Sequence, residues 1–116
     1  SKLKNKLMMV NPDSVFISQI THAEILYGLE KGGNTPKHLN RVNSFLETLS
    51  ILDWDEECAY AYGKIRNELR QQGITVHSMD LMIGSHALGH HLTLVSNDHI
   101  FDHFKQLGLI VENWQT

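Results

Sequence analysis

Three acidic residues stand where one kind of segment gives way to another. Glu24 follows the apolar run "VFISQI", Asp80 opens "MDLMIGSHAL", and Asp98 closes "LTLVSND". If the chain brings them to one crevice, their carboxylates repel one another and raise each other's pKa unless a cation neutralises them, so the chemistry on offer is metal binding. All-oxygen ligation selects Mg²⁺ or Mn²⁺ over zinc. Each acid also has a plainer reading. Thr21 and Glu24 have the spacing of a capping box, Asp80 complements the positive end of a helix, and Ser96-Asn97-Asp98 is ordinary turn composition.

The elements that must position these acids follow from the pattern. "NPDS" is a turn into a strand "VFISQI", and a helix is expected from Thr21 to Lys31 with Gly32 at its C-terminal stop. Pro36 opens a helix whose Leu39, Val42, Leu46 and Leu49 share one face. "SILDW" is a short strand. Cys58, Tyr62, Ile65 and Leu69 mark a long helix from Asp55 to Gln72, which Gly73 closes. Ser78 is the expected cap of a helix that is apolar nearly all round and hence buried. "LTLVS" is a strand, "HIFDHFKQLG" a short helix, and "LIVENW" a last strand. "SKLKNKLMMV" reads as the tail of a helix. This alternation predicts an α/β fold, doubly wound, with a mainly parallel sheet and helices on both faces. The ligand crevice then lies beyond the carboxyl ends of the strands, which is where the three acids fall.

With 116 residues the chain has the length of one domain able to bury a core without staples. A hydrophobic fraction of 41% with 20% charged residues is that of a globular protein, and no apolar run approaches the ~18 residues that suggest a membrane span. The single cysteine, Cys58, excludes an internal disulfide and a thiolate cage for zinc, fits a cytoplasmic address, and is expected in the core. A formal net charge of −3 argues against a generally basic nucleic-acid binder, which needs a surplus of Lys and Arg.

"FISQITHAEILYGLEKG", "MDLMIGSHAL" and "LTLVSNDHIFDHFKQLGLIVENW" resemble, in order, motif blocks of the PIN-domain ribonucleases of the VapC toxin type, and the closing "GLIVENW" is a specific feature. The resemblance implies a Mg²⁺-dependent (or Mn²⁺-dependent) endoribonuclease acting on tRNA or ribosomal RNA, a cognate antitoxin that blocks the site, and a homodimer. It also implies that Glu24, Asp80 and Asp98 are metal ligands and catalytic. Ser96 and Asn97 are candidates to hold the attacking water or a phosphate oxygen. Lys31, Lys37, Arg41, Arg66 and Arg70 are candidates for RNA backbone contact, against the plain reading of solvated helix faces. The family opens with a strand ending in an Asp-Thr-Asn type motif whose Asp is a ligand, and the chain begins after it. Residues 1–116 are therefore expected to form a single PIN-like domain lacking its first strand and most of its first helix, and not to fold alone. The alternative is a catalytically incomplete PIN-like module that binds antitoxin or RNA without cutting.

Eight histidines raise a zinc site as a rival. His99 with His103, and His90 with His91, are its expected members, and it is set aside because no cysteine joins them and no spacing fixes a fourth ligand. His86 and His22 are expected to be hydrogen-bonded structural residues. Trp54, Trp114, Tyr27 and Phe101 are expected in the core or at a subunit contact.

Overall fold

The computed structural model describes residues 5–6, 9–11, 14–33 and 35–114, which fall into two compact units. One is Leu7–Asp53; the other is Trp54–Thr116 together with Ser1–Lys6. The expected N-terminal helix tail lies largely outside the described residues, with Asn5, Lys6 and Met9 helical. Of the "NPDS" turn, the backbone N–H and the hydroxyl of Ser14 both donate to the Asn11 carbonyl, at 2.9 and 2.7 Å.

In the first unit a strand β1, Phe16–Ser18, runs directly into helix α1, Gln19–Lys31. The helix therefore starts two residues earlier than expected, and its cap is Ser18 instead of Thr21. The Ser18 hydroxyl accepts from the N–H groups of Ile20 (3.0 Å) and Thr21 (3.2 Å), so two orphan donors are already satisfied and Gln19 and Ile20 can join the helix. The Thr21–Glu24 capping box does not form, and Glu24 sits exposed in the second turn. Gly32 ends α1 in extended backbone, and it is Gly33, at φ +49°, that takes the left-handed conformation. Helix α2, Pro36–Glu47, has Pro36 in its first turn and Thr35 as cap, its hydroxyl accepting from His38 N at 3.2 Å. Leu46 is buried and Leu39, Val42 and Leu49 are half-buried, the face that the spacing predicts. Strand β2, Ser50–Leu52, then lies parallel to β1 with Ile17 opposite Ile51.

In the second unit Asp55 caps helix α3, Glu56–Gln71, which buries Cys58, Ile65 and Leu69. The turn at Gly73, φ +75°, folds back so that Ile74 N bonds the Leu69 carbonyl at 2.9 Å. Helix α4, Ser78–Gly89, buries Leu81, Gly84, Ser85, His86 and Ala87. Its cap is His77, whose Nδ1 accepts from Met79 N at 3.3 Å, and Ser78 is the first helical residue. Strands β3, Leu94–Val95, and β4, Val111–Glu112, are parallel and shorter than their apolar runs suggest. Between them a 3₁₀ helix, His99–Leu107, ends at Gly108, φ +104°. Phe101, Phe104 and Leu109 join Ile65, Leu69, Val76, Leu81 and Ala87 in one core. The fold is thus α/β, and strand pairing among the described residues is parallel, as the alternation predicts. Among the described residues the strands form two two-stranded sheets, β1 with β2 and β3 with β4, one within each unit.

Candidate functional site

Asp98 ends the segment after β3 and caps the 3₁₀ helix, its Oδ1 accepting from Ile100 N at 3.0 Å. The Ser96 hydroxyl accepts from Asp98 N at 3.1 Å, and Ser96 N donates to the Glu112 carbonyl at 3.0 Å. Turn chemistry therefore occupies Ser96 and fixes the Asp98 backbone. Ser96, Asn97 and Asp98 line one cavity of about 150 Å³ with His99, Asp102 and Lys105. Lys105, first, and His99 hold the Asp102 carboxyl below the usual carboxylate range.

Asp80 is half-buried in the first turn of α4, where the helix dipole favours a negative charge. Among the described residues no ion pair or hydrogen bond occupies its carboxylate, and the same holds for the exposed Glu24. Both are available as hard oxygen donors. Asp80 and Asp98 belong to the second unit and Glu24 to the first.

The basic candidates are all exposed. Lys31 lies over the Tyr27 ring at 5.9 Å, Arg66 donates to the Tyr62 hydroxyl at 3.0 Å, and Arg70 donates to Asn67 Oδ1 at 3.0 Å. Lys37 and Arg41 sit on α2.

One group of three metal-ligating side chains does converge among the described residues, and it is not acidic: Cys58, His86 and His90, with ligand atoms within 4.8 Å of one another. This overturns two expectations. A cysteine does join histidines, and of the four expected members only His90 takes part, with His86 beside it. His99 and His103 ride on a 3₁₀ helix, where residues four apart diverge by about 120° because a turn takes only about 3.0 residues. His99 accordingly meets Asp102 at 3.3 Å, three residues on. His91 is exposed, in the left-handed region at φ 57°. His86 was expected to be hydrogen-bonded. Instead it is 2% exposed, and neither ring nitrogen has a hydrogen-bond partner among the described residues, nor has the buried Ser85 hydroxyl. Each such orphan costs on the order of 1–3 kcal/mol. Burial, foremost, and the neighbouring His90 push the His86 pKa down, so its ring is kept neutral. Burial likewise pushes the Cys58 thiol up. The signal available in the sequence was the His86-x-x-x-His90 spacing, one face of a helix. Of the aromatics, Phe101 is core, Trp54 and Trp114 are half-buried, and Tyr27, 67% exposed, is not in the core of its unit.

Asp55 ties this cluster to the start of α3. It accepts from Cys58 N at 3.1 Å, and both its oxygens face His90 Nε2, at 3.0 and 2.9 Å. The His90 hydrogen bond, first, and the bonds from Cys58 pull its carboxyl down from 3.8 to about 2. A carboxyl whose folded pKa is depressed contributes stability that is complete above its unfolded value and is lost as pH falls through the folded one. Asp55→Asn keeps a good capping residue and removes the charge. Its acid-unfolding midpoint, followed by circular dichroism, is expected at higher pH than that of the parent. The two proteins should converge as pH approaches 2, and coincident midpoints would refute the role of the Asp55–His90 pair.

No helix among the described residues is long and apolar enough to cross a membrane. The family model of the PIN domain matches residues 1–107. Ribonuclease VapC2 of Rickettsia felis is 35% identical over 115 residues, covering 98% of this chain and 84% of that protein. The tRNA(fMet)-specific endonuclease VapC of Salmonella typhimurium is 35% identical over 106 residues, 90% of this chain and 79% of its own. The crystal structure of VapBC2 from Rickettsia felis, bound to a DNA fragment from its promoter, superimposes with a TM-score of 0.77 at 37% identity, over 87% of this chain and 75% of that one. A match of this extent, on a chain with the parallel α/β elements just described, places it in a family: the chain belongs to the PIN domains.

Proposed function

We propose that the chain is a VapC-type endoribonuclease toxin that hydrolyses phosphodiester bonds of structured RNA, tRNA or ribosomal RNA, with Mg²⁺ or Mn²⁺, and is silenced by a cognate antitoxin. The observation that carries this reading is the 35% identity, across 98% of the chain, with a relative named as a ribonuclease. The likeness to a solved VapBC assembly supports the antitoxin as partner. A homodimer and a cytoplasmic address belong to the same reading.

Asp80 in the second unit and Glu24 in the first each present a carboxylate that no cation of the described residues neutralises, the donor type that a hard divalent ion takes. In line with the family pattern, Asp80 and Asp98 of the second unit are the residues that would hold the ion, and Glu24 is the ligand candidate of the first unit. When bound, it supplies Lewis acidity, lowering the pKa of a water and stabilising the leaving oxygen. Asp98 is held in place by the Ile100 and Ser96 bonds, so its carboxylate is presented by a rigid turn. Ser96 and Asn97, on the same cavity, position the water or a phosphate oxygen. Lys31, Lys37, Arg41, Arg66 and Arg70 are assigned to the RNA backbone, where their charge favours binding without reading sequence.

Glu24 gives the sharpest test, because its capping explanation is gone. What remains is a solvated carboxylate or a ligand. In the full-length protein, Glu24→Gln is expected to leave the thermal midpoint within a few degrees while lowering Mg²⁺-dependent tRNA cleavage by about tenfold or more. Equal activity would return Glu24 to the solvated surface. Absence of cleavage by the antitoxin-free protein with either ion, on tRNA and ribosomal RNA alike, would sink the nuclease reading itself.

A further inference from the structure

The nuclease reading leaves unused the cluster at the N-terminal end of α3 and the C-terminal end of α4. We propose that Cys58, His86 and His90 form a second metal site, for a borderline transition-metal ion of the zinc class, with Asp55 as the carboxylate that orients His90. Their ligand atoms lie within 4.8 Å of one another. A tetrahedral ion with one thiolate and two imidazoles needs separations of about 3.5 Å, so side-chain adjustments of about an ångström close the site. His86 and His90 are one turn apart on α4, their rings 5.4 Å apart, and Cys58 faces them from the first turn of α3.

Two observations separate this from an ordinary buried cysteine beside two histidines. His86 is 2% exposed with both ring nitrogens unpartnered among the described residues, and coordination gives one of them a partner. His90 is engaged at Nε2 by Asp55, a carboxylate–histidine pairing of the kind that orients a ligating imidazole. One thiolate with two neutral imidazoles suits zinc or cobalt and not Mg²⁺, which asks for oxygen. The site is therefore chemically distinct from the acids assigned to catalysis. Three protein ligands leave a fourth position for water, and the His90 side chain, 30% exposed, provides the way in. On binding, the Cys58 S–H bond breaks, its proton passes to solvent and the sulfur lone pair bonds the metal; no group changes oxidation state.

The test is titration of the chelator-treated full-length protein with Co²⁺ in the presence of excess Mg²⁺. One equivalent is expected to give a thiolate-to-cobalt charge-transfer band in the near ultraviolet, and Zn²⁺ should bleach it. Cys58→Ser should lose that band. Asp55→Asn should weaken Co²⁺ binding by about 10–100-fold. His90→Ala, at a partly exposed position, serves if Cys58→Ser fails to fold, and should abolish binding. Asp80→Asn should keep the band with unchanged affinity, whatever it does to RNA cleavage. A parent protein with no thiolate band, an unaltered band in His90→Ala, or a band lost in Asp80→Asn would each overturn the proposal, and none of these bears on nuclease activity.

Discussion

Asp80→Asn is expected to abolish RNA cleavage at saturating Mg²⁺ while leaving the thermal midpoint unchanged or slightly raised. The side chain sits in the first turn of α4, and the cap of that helix is His77, whose ring accepts from Met79 N, so the capping of the helix does not depend on the Asp80 carboxylate. Two small effects on stability oppose each other. Loss of the charge forfeits about 0.3–1 kcal/mol of interaction with the helix dipole, and it relieves repulsion from any other acid of the metal site in the ion-free protein. On the reaction the effects do not cancel. A metal-ion clamp contributes several kcal/mol to the transition state, so removing a ligand costs at least ~10²–10³-fold in rate. Cleavage by Asp80→Asn at a rate near that of the parent, with excess Mg²⁺ or Mn²⁺, would remove Asp80 from the site.

Gly84→Ala is expected to be the most destabilising of the single-methyl additions. Glycine in mid-helix is unfavourable by about 1 kcal/mol, so its presence at the centre of α4 needs a packing reason. A Cβ there would come within 2.7 Å of Phe104 Cδ2 and 2.9 Å of Cζ, with Cε2 nearer still. Phe104 is fully buried and packs against Phe101 with ring centroids 5.7 Å apart, so it has no free direction in which to retreat. Overpacking of this kind costs about 1–3 kcal/mol or more, beyond what the helix gains from alanine. A net loss on the order of 1–2 kcal/mol lowers the melting temperature by roughly 4–10 °C. Gly63, in α3, has nothing within 4 Å of the corresponding position, so Gly63→Ala should hold or raise it. A Gly84→Ala protein melting with or above its parent would show that the 3₁₀ helix can shift away from α4 at little cost.

The 3.6-residue repeat of apolar positions placed α2 and α3, and a nearly continuous apolar body placed the buried α4. Boundaries were less legible. Whether α1 starts at Thr21 or at Gln19 depends on which hydroxyl reaches the free N–H groups, and Ser18 and Thr21 are equally good caps by composition. The acids are visible as acids, since hydrophilic residues at strand-to-helix joints stand out against apolar runs. The thiol–imidazole cluster was not, for a geometric reason. The sequence offers two His-x-x-x-His spacings, 86/90 and 99/103, and only the type of helix under each decides which pair can chelate. Residue spacing also says nothing of Cys58 approaching from α3, since that meeting is made by helix packing and by the Asp55–His90 bond across 35 positions.

Trp54 stands edge-on to His86, ring centroids 5.9 Å apart and nearly perpendicular at 87°, and edge-on to Tyr62 at 6.3 Å. The chain holds one other tryptophan, Trp114, whose indole N–H bonds Glu112 beside β4. An excited indole is quenched by a neighbouring group that accepts charge from it, and an imidazole accepts far better once it is protonated or bound to a cation. Emission from Trp54 therefore reads the ionic state of His86, while Trp114 reports on the strand end. The fluorescence of this protein is therefore expected to change when His86 gains a proton or a cation, and emission indifferent to both would show that the two rings do not exchange charge.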